Sequence, residues 1–488
     1  MDDESVRWNY ANAQEHERHT ARDAMKANEL DGFTYAVLGA ARSGIAAAML
    51  LKDLGHDVAV YDEKPADRAT DLKAELDARG IESHWGAGAF GELASRQVIV
   101  LSPGIPREHP VVAEALGRGV RVIGEVELAA AVSDPAARIM AITGTNGKTT
   151  TTAWIAHLLQ ASGLNAVLVG NIGEAWSKHA ARPENRGAQT VFVAELSSFQ
   201  LESIEDLRPT VAVLTNLAPD HLDRYGTFDK YVAAKRHLLR NMGEKDCLVF
   251  NGGNEASREF VADLNVRQVP FHLGEDEGES SAFLRSGLLM VRGLDGVEVA
   301  LIEVEEMPLP GRHNLENALA AAMAAMLIGA SPEAVCAGLR SFAGVEHRIE
   351  LCGTRERDGV RFFNDSKATN LDSLEKALAS FDEPIVLIAG GRDKNSDYDT
   401  LRPLVKERVA HLVTVGEAAP LIEKSWGGTV PFERASSMDE AVRRGAAAAG
   451  EGHVVLLSPA CTSYDMYANF EERGRDFKAC VKRLLATD

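Results

Sequence analysis

A loop with two glycines joins a predicted strand to a predicted helix at residues 143–150, with the sequence Thr-Gly-Thr-Asn-Gly-Lys-Thr-Thr. Backbone N–H groups of such a loop and the N-terminus of the following helix form a concave site for phosphate. Lys148 would face the β- and γ-phosphates of a nucleotide, and the Thr149 hydroxyl would bind Mg2+. The spacing departs from the common phosphate loop, because Ile142 stands where the first glycine is expected. An ordinary Gly-Lys helix cap is the alternative.

This loop predicts an ATP-using enzyme with phosphoryl chemistry and leaves the acceptor open. The candidate ATP-binding residues are consecutive: Gly144, Thr145, Asn146, Gly147, Lys148, Thr149 and Thr150.

Three further polar side chains follow the loop along the chain. Glu195 ends an apolar strand, where a carboxylate suits Mg2+, and a surface acid is the alternative. His221 lies in a polar loop between two acids, and a hydrogen-bonded structural histidine is the simpler interpretation. Lys235 lies on a helix predicted to begin near Phe228, and its residue type alone favours a solvated surface lysine.

The first glycine turn of the chain, residues 39–44, follows the first predicted strand and precedes a helix. Asp62 lies after the next strand, close to the position of the ribose-binding acid in dinucleotide-binding folds. Ala41 replaces the middle glycine of that pattern, and its methyl group weakens the case for NAD or FAD. Dinucleotide binding, binding of another nucleotide-like ligand and a purely structural turn therefore all stay open.

The elements that position these residues alternate between strand and helix, which predicts an α/β chain with parallel sheets. The residues around Ser133 separate a first half from the strand that enters the phosphate loop. Residues 286–304 are predicted to be antiparallel, and a buried helix is predicted at 318–330. Further strands are predicted at 35–38, 58–61, 97–101, 120–123, 139–142, 191–194, 211–214, 248–250, 360–364, 385–389, 412–415 and 454–457.

Length and composition restrict the class of protein. The 488 residues are enough for about three domains. A net charge of −20 disfavours non-specific binding to nucleic acid or a membrane. Five scattered cysteines without a CxxC pair suggest neither a disulfide framework nor a zinc site, so a cytoplasmic location is expected. Residues 1–32 are polar, without an apolar segment typical of a secretory signal.

Together these segments resemble the Mur ligase family, ATP-dependent enzymes that add amino acids to the cytoplasmic peptidoglycan precursor. The resemblance covers residues from about 33 to 488 and rests on six ordered motifs. They are the phosphate loop 143–150, Gly-Asn-Ile-Gly at 170–173, Glu-Leu-Ser-Ser-Phe-Gln-Leu at 195–201, Asp-His-Leu-Asp at 220–223, Tyr231 to Lys235, and His-Asn-Leu-Glu-Asn-Ala at 313–318.

The C-terminal motifs resemble those of the D-glutamate-adding branch of the family, and the Asp-Asn-Pro-Arg motif of the diaminopimelate-adding branch is absent. These C-terminal motifs are found at 346–348, 364–370, 390–394, 458–463 and 469–474. The resemblance implies a ligase that joins D-glutamate to UDP-N-acetylmuramoyl-L-alanine through an acyl phosphate. It is expected to be a monomer that needs no nucleic acid or membrane partner.

The resemblance implies an α/β fold with three domains. They are a Rossmann-like UDP-binding domain at 33–128, a central P-loop ATPase-like domain with a parallel sheet at 129–344, and a Rossmann-like amino-acid-binding domain at 345–488, after a polar extension at 1–32.

The same resemblance implies roles for individual residues. Two Mg2+ ions would be bound by Thr149, Glu195, His221 and a carbamylated Lys235. Lys148, Lys235, His221 and Lys367 would be catalytic. Further nucleotide contacts would come from Asn314, Asn317, Arg348 and Asp365. The UDP substrate would contact Arg42, Ser43, Glu63, Lys64, Ser102 and Asn171. D-Glutamate would contact Thr369, Lys394, Ser463 and Phe470.

Three rival classes of protein stay open at the level of sequence. One is another enzyme of the superfamily, such as folylpolyglutamate synthase or a different Mur ligase. Another is a nucleotide-binding regulatory protein without catalysis, against which the presence of Lys148, His221 and Lys235 argues. The last is a dinucleotide oxidoreductase, which only the first glycine turn and Asp62 favour. The handedness of the glutamate cannot be read from spacing.

Overall fold

The computed structural model describes residues 30–274, 278–309, 311–393 and 396–487. The chain divides into two compact units, Met1–Pro308 with Arg312–Phe342, and Leu309–Gly311 with Ala343–Asp488. The first unit contains two sheets and the second unit contains one.

The first sheet has five parallel strands in the order β3-β2-β1-β4-β5. Its inner strands are short apolar runs buried on both faces, as expected of a parallel sheet covered by helices. The strand order reverses between β1 and β4, and ligands of open α/β sheets bind at such a point. The elements are β1 Thr34–Leu38, α1 Arg42–Asp53, β2 Asp57–Asp62, α2 Thr70–Ala78, β3 Glu82–Trp85, β4 Val98–Leu101, α3 Pro110–Gly117, β5 Arg121–Gly124 and α4 Glu125–Val132.

The second sheet has nine strands in the order β14-β13-β12-β11-β10-β9-β6-β8-β7. Pairing is parallel from β7 to β12 and antiparallel between β12, β13 and β14. The strands are β6 Arg138–Thr143, β7 Asn165–Gly170, β8 Thr190–Glu195, β9 Val211–Leu214, β10 Cys247–Asn251, β11 Arg267–His272, β12 Ser281–Arg285, β13 Leu288–Arg292 and β14 Glu298–Glu303. The helices are α5 Lys148–Ala161, α6 Ser198–Leu201, α7 Leu222–Tyr225, α8 Phe228–Arg236, α9 Glu255–Val261, α10 Arg312–Leu327 and α11 Pro332–Ser341.

The second unit has a six-stranded sheet in the order β15-β16-β20-β17-β18-β19. Only β15 pairs antiparallel in this sheet, and buried apolar clusters cover both of its faces. The strands are β15 Glu350–Thr354, β16 Arg361–Asn364, β17 Ile385–Gly390, β18 Val409–Val415, β19 Phe432–Ala435 and β20 Val454–Leu457. The helices are α12 Leu371–Leu378, α13 Arg402–Arg408, α14 Ala419–Trp426, α15 Met438–Ala448 and α16 Phe470–Leu485.

One continuous apolar cluster spans both sheets of the first unit. It contains Tyr35 and Val60 from the first sheet and Ile139 and Phe192 from the second. Because these side chains share one core, the first two sheets are packed as a single body.

The predicted α/β class with parallel sheets is confirmed. Residues 286–304 contain the antiparallel strands β13 and β14, as predicted. The buried helix predicted at 318–330 is α10, which begins earlier, at Arg312, and ends at Leu327. Most of the polar N-terminal extension lies outside the described residues. Within the described part of the chain, no helix combines the length and apolar character needed to cross a membrane.

Candidate active site

The predicted phosphate loop connects β6 to α5 at the reversal point of the second sheet. Gly144 has φ of 142° and Gly147, the residue before α5, has φ of 79°, both in the region that favours glycine. A Cβ on Gly147 would lie 2.4 Å from Oδ1 of Asn317, and one on Gly144 would lie 2.0 Å from Oγ1 of Thr215. Glycine is therefore required at both positions by conformation and by close packing.

Residues in the segment that follows β9 fix the conformation of the phosphate loop. The Asn146 N–H donates to Oδ1 of Asn216 at 2.9 Å, and the Thr215 hydroxyl donates to the carbonyl of Asn146. Thr145 donates to the carbonyl of Ala218 at 3.1 Å. These contacts fix the loop backbone before any ligand binds, which reduces the ordering cost of binding.

Lys148 supplies the positive charge of this loop. Its ammonium donates to the loop carbonyls of Gly144 at 2.9 Å and Thr145 at 2.8 Å. The first turn of α5 carries no acidic residue, so the helix N-terminus keeps its attraction for an anion. The first-turn residues Thr149 and Thr150 are buried. This arrangement fits the binding of a polyphosphate. A simple helix cap, the alternative interpretation, would not require these features.

Glu195 ends β8, directly beside the phosphate-loop strand. Its Oε1 accepts a hydrogen bond from Nδ2 of Asn171 at 2.8 Å, and the Asn171 N–H donates to the Glu195 carbonyl. Its Oε2 is buried and has no hydrogen-bond partner among the described residues. A buried carboxylate oxygen without a partner is costly, and a divalent cation would satisfy it.

Lys235 is fully buried, with 1% of its surface exposed. Its amine donates to the carbonyl of Gly144 at 2.8 Å and lies 4.6 Å from the centre of the Tyr231 ring. Burial, together with the positive charge of Lys148, lowers the pKa of this amine well below its usual value. The expectation of a solvated surface lysine is therefore wrong, because α8 turns this side chain against the phosphate loop.

His221 precedes α7 and has φ of 51°, a left-handed conformation that is unfavourable for a residue with a Cβ. Its ring packs against Phe199 at 4.9 Å between centroids, and Nε2 lies 3.7 Å from Oδ2 of Asp220. Tyr231 places its ring 6.2 Å from that of His221. The histidine is half-exposed, so its ring is accessible to a ligand.

Two of the predicted nucleotide contacts, Asn314 and Asn317, lie in the N-terminal part of α10. Asn317 is buried, accepts a hydrogen bond from Thr151 at 3.1 Å and donates to Oδ1 of Asn314. Through its contact with Gly147 the α10 helix buttresses the phosphate loop. The structure thus brings the phosphate loop, Glu195, Lys235 and Asn317 together.

The donor set around the phosphate loop fits Mg2+. Thr149, Glu195, His221 and a carboxylated Lys235 would supply oxygen and imidazole donors, and hard divalent cations prefer oxygen. The partnerless Oε2 of Glu195 is the observation that supports this assignment.

The first glycine turn lies at the reversal point of the first sheet. The Ser102 hydroxyl donates to the carbonyl of Gly39 at 2.9 Å, and a Cβ on Gly44 would lie 1.9 Å from that same oxygen. Asp62 accepts from the N–H of Ala40 at 2.6 Å and from that of Lys64 at 2.8 Å. Both oxygens of Asp62 accept a hydrogen bond from the backbone, so its role in holding this turn explains the acid without a bound dinucleotide.

The other predicted UDP contacts surround this turn. Arg42 and Ser43 begin α1, and Glu63 and Lys64 follow β2 and are exposed. A small cavity beside Ser102 is lined by residues of β4, β5 and α4 with the loop after β4, and by residues in and after α6: Leu101, Ser102, Pro103, Ile105, Gly124, Glu125, Val126, Phe199, Gln200 and Ser203.

In the second unit, Asp365 follows β16 and is buried. Oδ2 accepts from the Ser458 hydroxyl at 2.9 Å, and Oδ1 accepts from the N–H of Ile349 at 3.3 Å. Burial raises the pKa of Asp365 from 3.8 to about 7, and the nearby charge of Arg348 opposes that rise. The two predicted nucleotide residues of this unit, Arg348 and Asp365, therefore interact electrostatically.

Of the predicted D-glutamate residues that the structure describes, Thr369 and Ser463 lie in loops of the second unit and Phe470 begins α16. Buried Arg473 joins those loops, because it donates to Ser366 and to the carbonyl of Cys461. The Ser366 hydroxyl donates to the Phe470 carbonyl, and the Lys367 ammonium lies 6.0 Å from the Phe470 ring centre. Ser463 is buried and Thr369 half-buried, whereas Lys394 lies outside the described residues.

Sequence reasoning missed the residues that support the site. Asn216, Tyr231 and Arg473 interact with the predicted functional residues Asn146, Lys235 and Asp365, although the sequence analysis assigned them no role. Tyr231 lies four residues before Lys235, a helical spacing that places both on one face and could have indicated a shared environment.

Three family models match the chain in order. They are the Mur ligase MurD-like N-terminal domain at residues 34–124, the Mur ligase middle domain at 142–325, and the Mur ligase glutamate ligase domain at 347–461. The chain belongs to the Mur ligase family.

Among curated proteins, the chain is similar to enzymes named UDP-N-acetylmuramoylalanine--D-glutamate ligase. The one from Salinibacter ruber is 42% identical over 461 residues, which cover 92% of this chain and 97% of that protein. The one from Desulfitobacterium hafniense is 42% identical over 449 residues, with the same coverage of both chains.

Solved structures of other family members share the fold. The UDP-N-acetylmuramate-alanine ligase MurC from Thermotoga maritima matches with a TM-score of 0.55 and 19% identity, covering 93% of this chain and 100% of that chain. MurF from Acinetobacter baumannii matches with a TM-score of 0.55 and 18% identity, covering 84% and 88%.

Proposed function

We propose that this chain is an ATP-dependent ligase that joins D-glutamate to UDP-N-acetylmuramoyl-L-alanine and releases ADP and phosphate. The structural observation that carries the proposal is the buried amine of Lys235 against the carbonyl of Gly144 in the phosphate loop. The similarity to enzymes of that name, at 42% identity over 92% of the chain, supports the choice of substrates.

The reaction proceeds in two displacements. The free carboxylate of the L-alanyl group attacks the γ-phosphorus of ATP, so an acyl phosphate forms and ADP leaves. The amine of D-glutamate then attacks the acyl carbon, loses a proton, and expels phosphate from a tetrahedral intermediate. Lys148 and the N–H groups of the phosphate loop stabilise the charge on the transferred phosphoryl group.

Thr149, Glu195, His221 and Lys235 would hold two Mg2+ ions. Bound there, the ions would neutralise the charge on the phosphates. The lowered pKa of Lys235 provides the neutral amine that must attack CO2 to form a carbamate, with loss of one proton. Asn171 orients Glu195 through the 2.8 Å hydrogen bond to Oε1.

The remaining substrate contacts are assigned by the resemblance to the family. Arg42, Ser43, Glu63, Lys64, Ser102 and Asn171 contact the UDP substrate. Asn314, Asn317, Arg348 and Asp365 contact the nucleotide. Thr369, Lys394, Ser463 and Phe470 contact D-glutamate, and Lys367 neutralises the acyl phosphate.

At the level of the chain, the proposal assigns UDP binding to residues 33–128, ATP binding to 129–344 and amino-acid binding to 345–488. The enzyme acts as a monomer in the cytoplasm, where its substrates are made. The five cysteines, all with free thiols, are compatible with a reducing compartment.

The test is phosphate release from ATP and Mg2+ with UDP-N-acetylmuramoyl-L-alanine and either D- or L-glutamate, with each component omitted in turn. The proposal expects release only with the complete mixture and D-glutamate, and a product heavier by one glutamyl residue. Release with L-glutamate but not with D-glutamate would contradict the proposed amino-acid substrate. No release with either amino acid would contradict the proposed ligase activity.

Lys148→Ala tests the phosphate loop in the same assay. Loss of the cation that faces the γ-phosphate should lower turnover by about 100-fold or more. Circular dichroism should show an unchanged fold, because the Lys148 ammonium donates to carbonyls of the phosphate loop itself. Retained activity would contradict the assignment of the loop.

A further inference from the structure

Glu202 follows α6 and binds two side chains of the short helix α7. Its Oε2 accepts from Nη2 of Arg224 at 2.7 Å, and its Oε1 accepts from the hydroxyl of Tyr225. The side chains of Glu202 and Arg224 are 13% and 21% exposed, so solvent screens this ion pair less than a surface pair. One carboxylate therefore fixes two of the four residues of α7.

The residue immediately before α7 is His221, whose left-handed φ of 51° has to be maintained by its surroundings. The Arg224 guanidinium lies 4.3 Å from the centre of the Phe199 ring, and that ring packs on His221 at 4.9 Å. Glu202 thus acts on His221 along two routes, through the α7 backbone and through the Arg224–Phe199 stack.

The same residue also contacts the first sheet's loop. Nη1 of Arg107, five residues beyond Ser102, donates to the backbone carbonyl of Glu202 at 3.1 Å. Glu202, which binds the helix that follows His221, is therefore also tied to the loop assigned to the UDP substrate.

We propose that Glu202 is a positioning residue for His221, acting through Arg224 and Tyr225. The inference rests on the proposed function, in which His221 binds a divalent cation. A carboxylate is needed because it offers one acceptor to each partner and neutralises the arginine, whereas an amide has a single acceptor oxygen.

The test measures Mn2+ binding to the full chain in the presence of a non-hydrolysable ATP analogue. Electron paramagnetic resonance detects the Mn2+ that stays free. Glu202→Gln should weaken Mn2+ binding about tenfold, as loss of a residue that orients a metal ligand does. In a His221→Ala background the same substitution should have no further effect, because the ligand it positions is gone. A general structural role would weaken binding in both backgrounds.

Glu298→Gln is the matched control, because Glu298 also accepts hydrogen bonds from two arginines, Arg285 and Arg292, and lies on β14 in the hairpin at the sheet's edge. It should leave Mn2+ binding unchanged.

Tyr225→Phe removes one hydroxyl and keeps the ring, so this variant tests the proposal if Glu202→Gln does not fold. It should weaken binding about threefold, a loss of about 0.7 kcal/mol, in the range of one hydrogen bond.

Two failures can be told apart. Wild-type chain that neither ligates D-glutamate nor binds Mn2+ with the nucleotide overturns the proposed function and this inference with it. An active wild type whose Mn2+ binding is unchanged in folded Glu202→Gln and Tyr225→Phe overturns the role of Glu202 alone.

Discussion

Lys235 is a buried amine next to a second amine, that of Lys148, and both donate to the carbonyl of Gly144. Two cations in one buried site repel each other, so one of them gains from becoming neutral. Conversion of Lys235 to a carbamate would replace that repulsion by attraction. This repulsion is the physical basis of the proposed carbamate at Lys235, and it acts before any metal binds.

Lys235→Ala should lower ligation by about 100-fold or more, since it removes a proposed ligand of a catalytic metal. Acetate or formate should restore part of the rate, because a small carboxylate can occupy the space left by the side chain. Lys230→Ala, an exposed position on the same helix, is the control and should keep full activity. Full activity of Lys235→Ala without added acid would exclude an essential carbamate.

Asp365 gives the second unit a dependence of stability on pH. Its pKa is raised to about 7 in the folded chain, so folding favours the protonated form. The group therefore contributes its full stability below its unfolded pKa of 3.8, and this contribution is lost as the pH rises through 7.

The substitution Asp365→Asn removes the ionisable group and, with it, the loss of stability as the pH rises through 7. Between pH 5 and pH 8, the free energy of unfolding of the wild type should fall by about 2–3 kcal/mol more than that of the variant. Equilibrium urea unfolding without nucleotide measures the difference, and Asp382→Asn, an exposed position of the same unit, should behave as wild type. An equal pH dependence of wild type and Asp365→Asn would contradict the prediction.

At the scale of elements, α4 joins the first sheet to the second through two buried glutamates. Glu127 accepts backbone hydrogen bonds from Glu205, Asp206 and Leu207 at 2.9–3.1 Å. Glu125 accepts one from Ser177 at 2.7 Å. The loop that Glu127 holds follows α6, so α4 also supports the active-site segment.

Glu127→Ala should lower the free energy of unfolding by about 2–4 kcal/mol, because three buried or half-buried backbone N–H groups lose the carboxylate that accepts from them. Glu114→Ala, on the exposed face of α3, should change it by less than about 0.5 kcal/mol. Urea unfolding compares the two variants. Equal stability of Glu127→Ala and wild type would show that water replaces the carboxylate at no cost.

Element prediction from the sequence succeeds where a strand is buried on both faces. The runs at Val211–Leu214 and Val454–Leu457 are continuous apolar segments, and both strands have the predicted bounds. Edge strands such as β3 and β19 escape detection because they bury little and carry polar residues. The sequence therefore predicts too few strands, although it predicts the correct fold class.

The residues of the candidate site also differ in how well the sequence predicts them. Residues whose chemistry depends on local sequence, such as Gly147 and Lys148, are recognisable in the chain itself. The contact of Glu195 with Asn171 depends on β7 lying beside β8, and strand order is not encoded in spacing. The burial of Lys235 likewise depends on how α8 docks on the sheet, so composition alone favours the wrong environment.

At the scale of the whole molecule, the apolar cores follow the two units. One cluster spans both sheets of the first unit, and two separate clusters enclose the sheet of the second. Trp154 in α5 and Trp426 in α14 are both fully buried, one in each unit. Trp154 stacks on Phe342 at 4.6 Å, and the Trp426 indole N–H donates to the carbonyl of Tyr398 at 2.8 Å.

Differential scanning calorimetry should therefore resolve two unfolding transitions. Truncation of a buried tryptophan to alanine costs about 3–5 kcal/mol, and this loss falls on the unit that contains the cavity. Trp426→Ala should lower one transition temperature and leave the other in place, and Trp154→Ala should do the reverse. A single transition displaced equally by both substitutions would mean that the two units unfold cooperatively, since separate cores respond separately only when the units are thermodynamically independent.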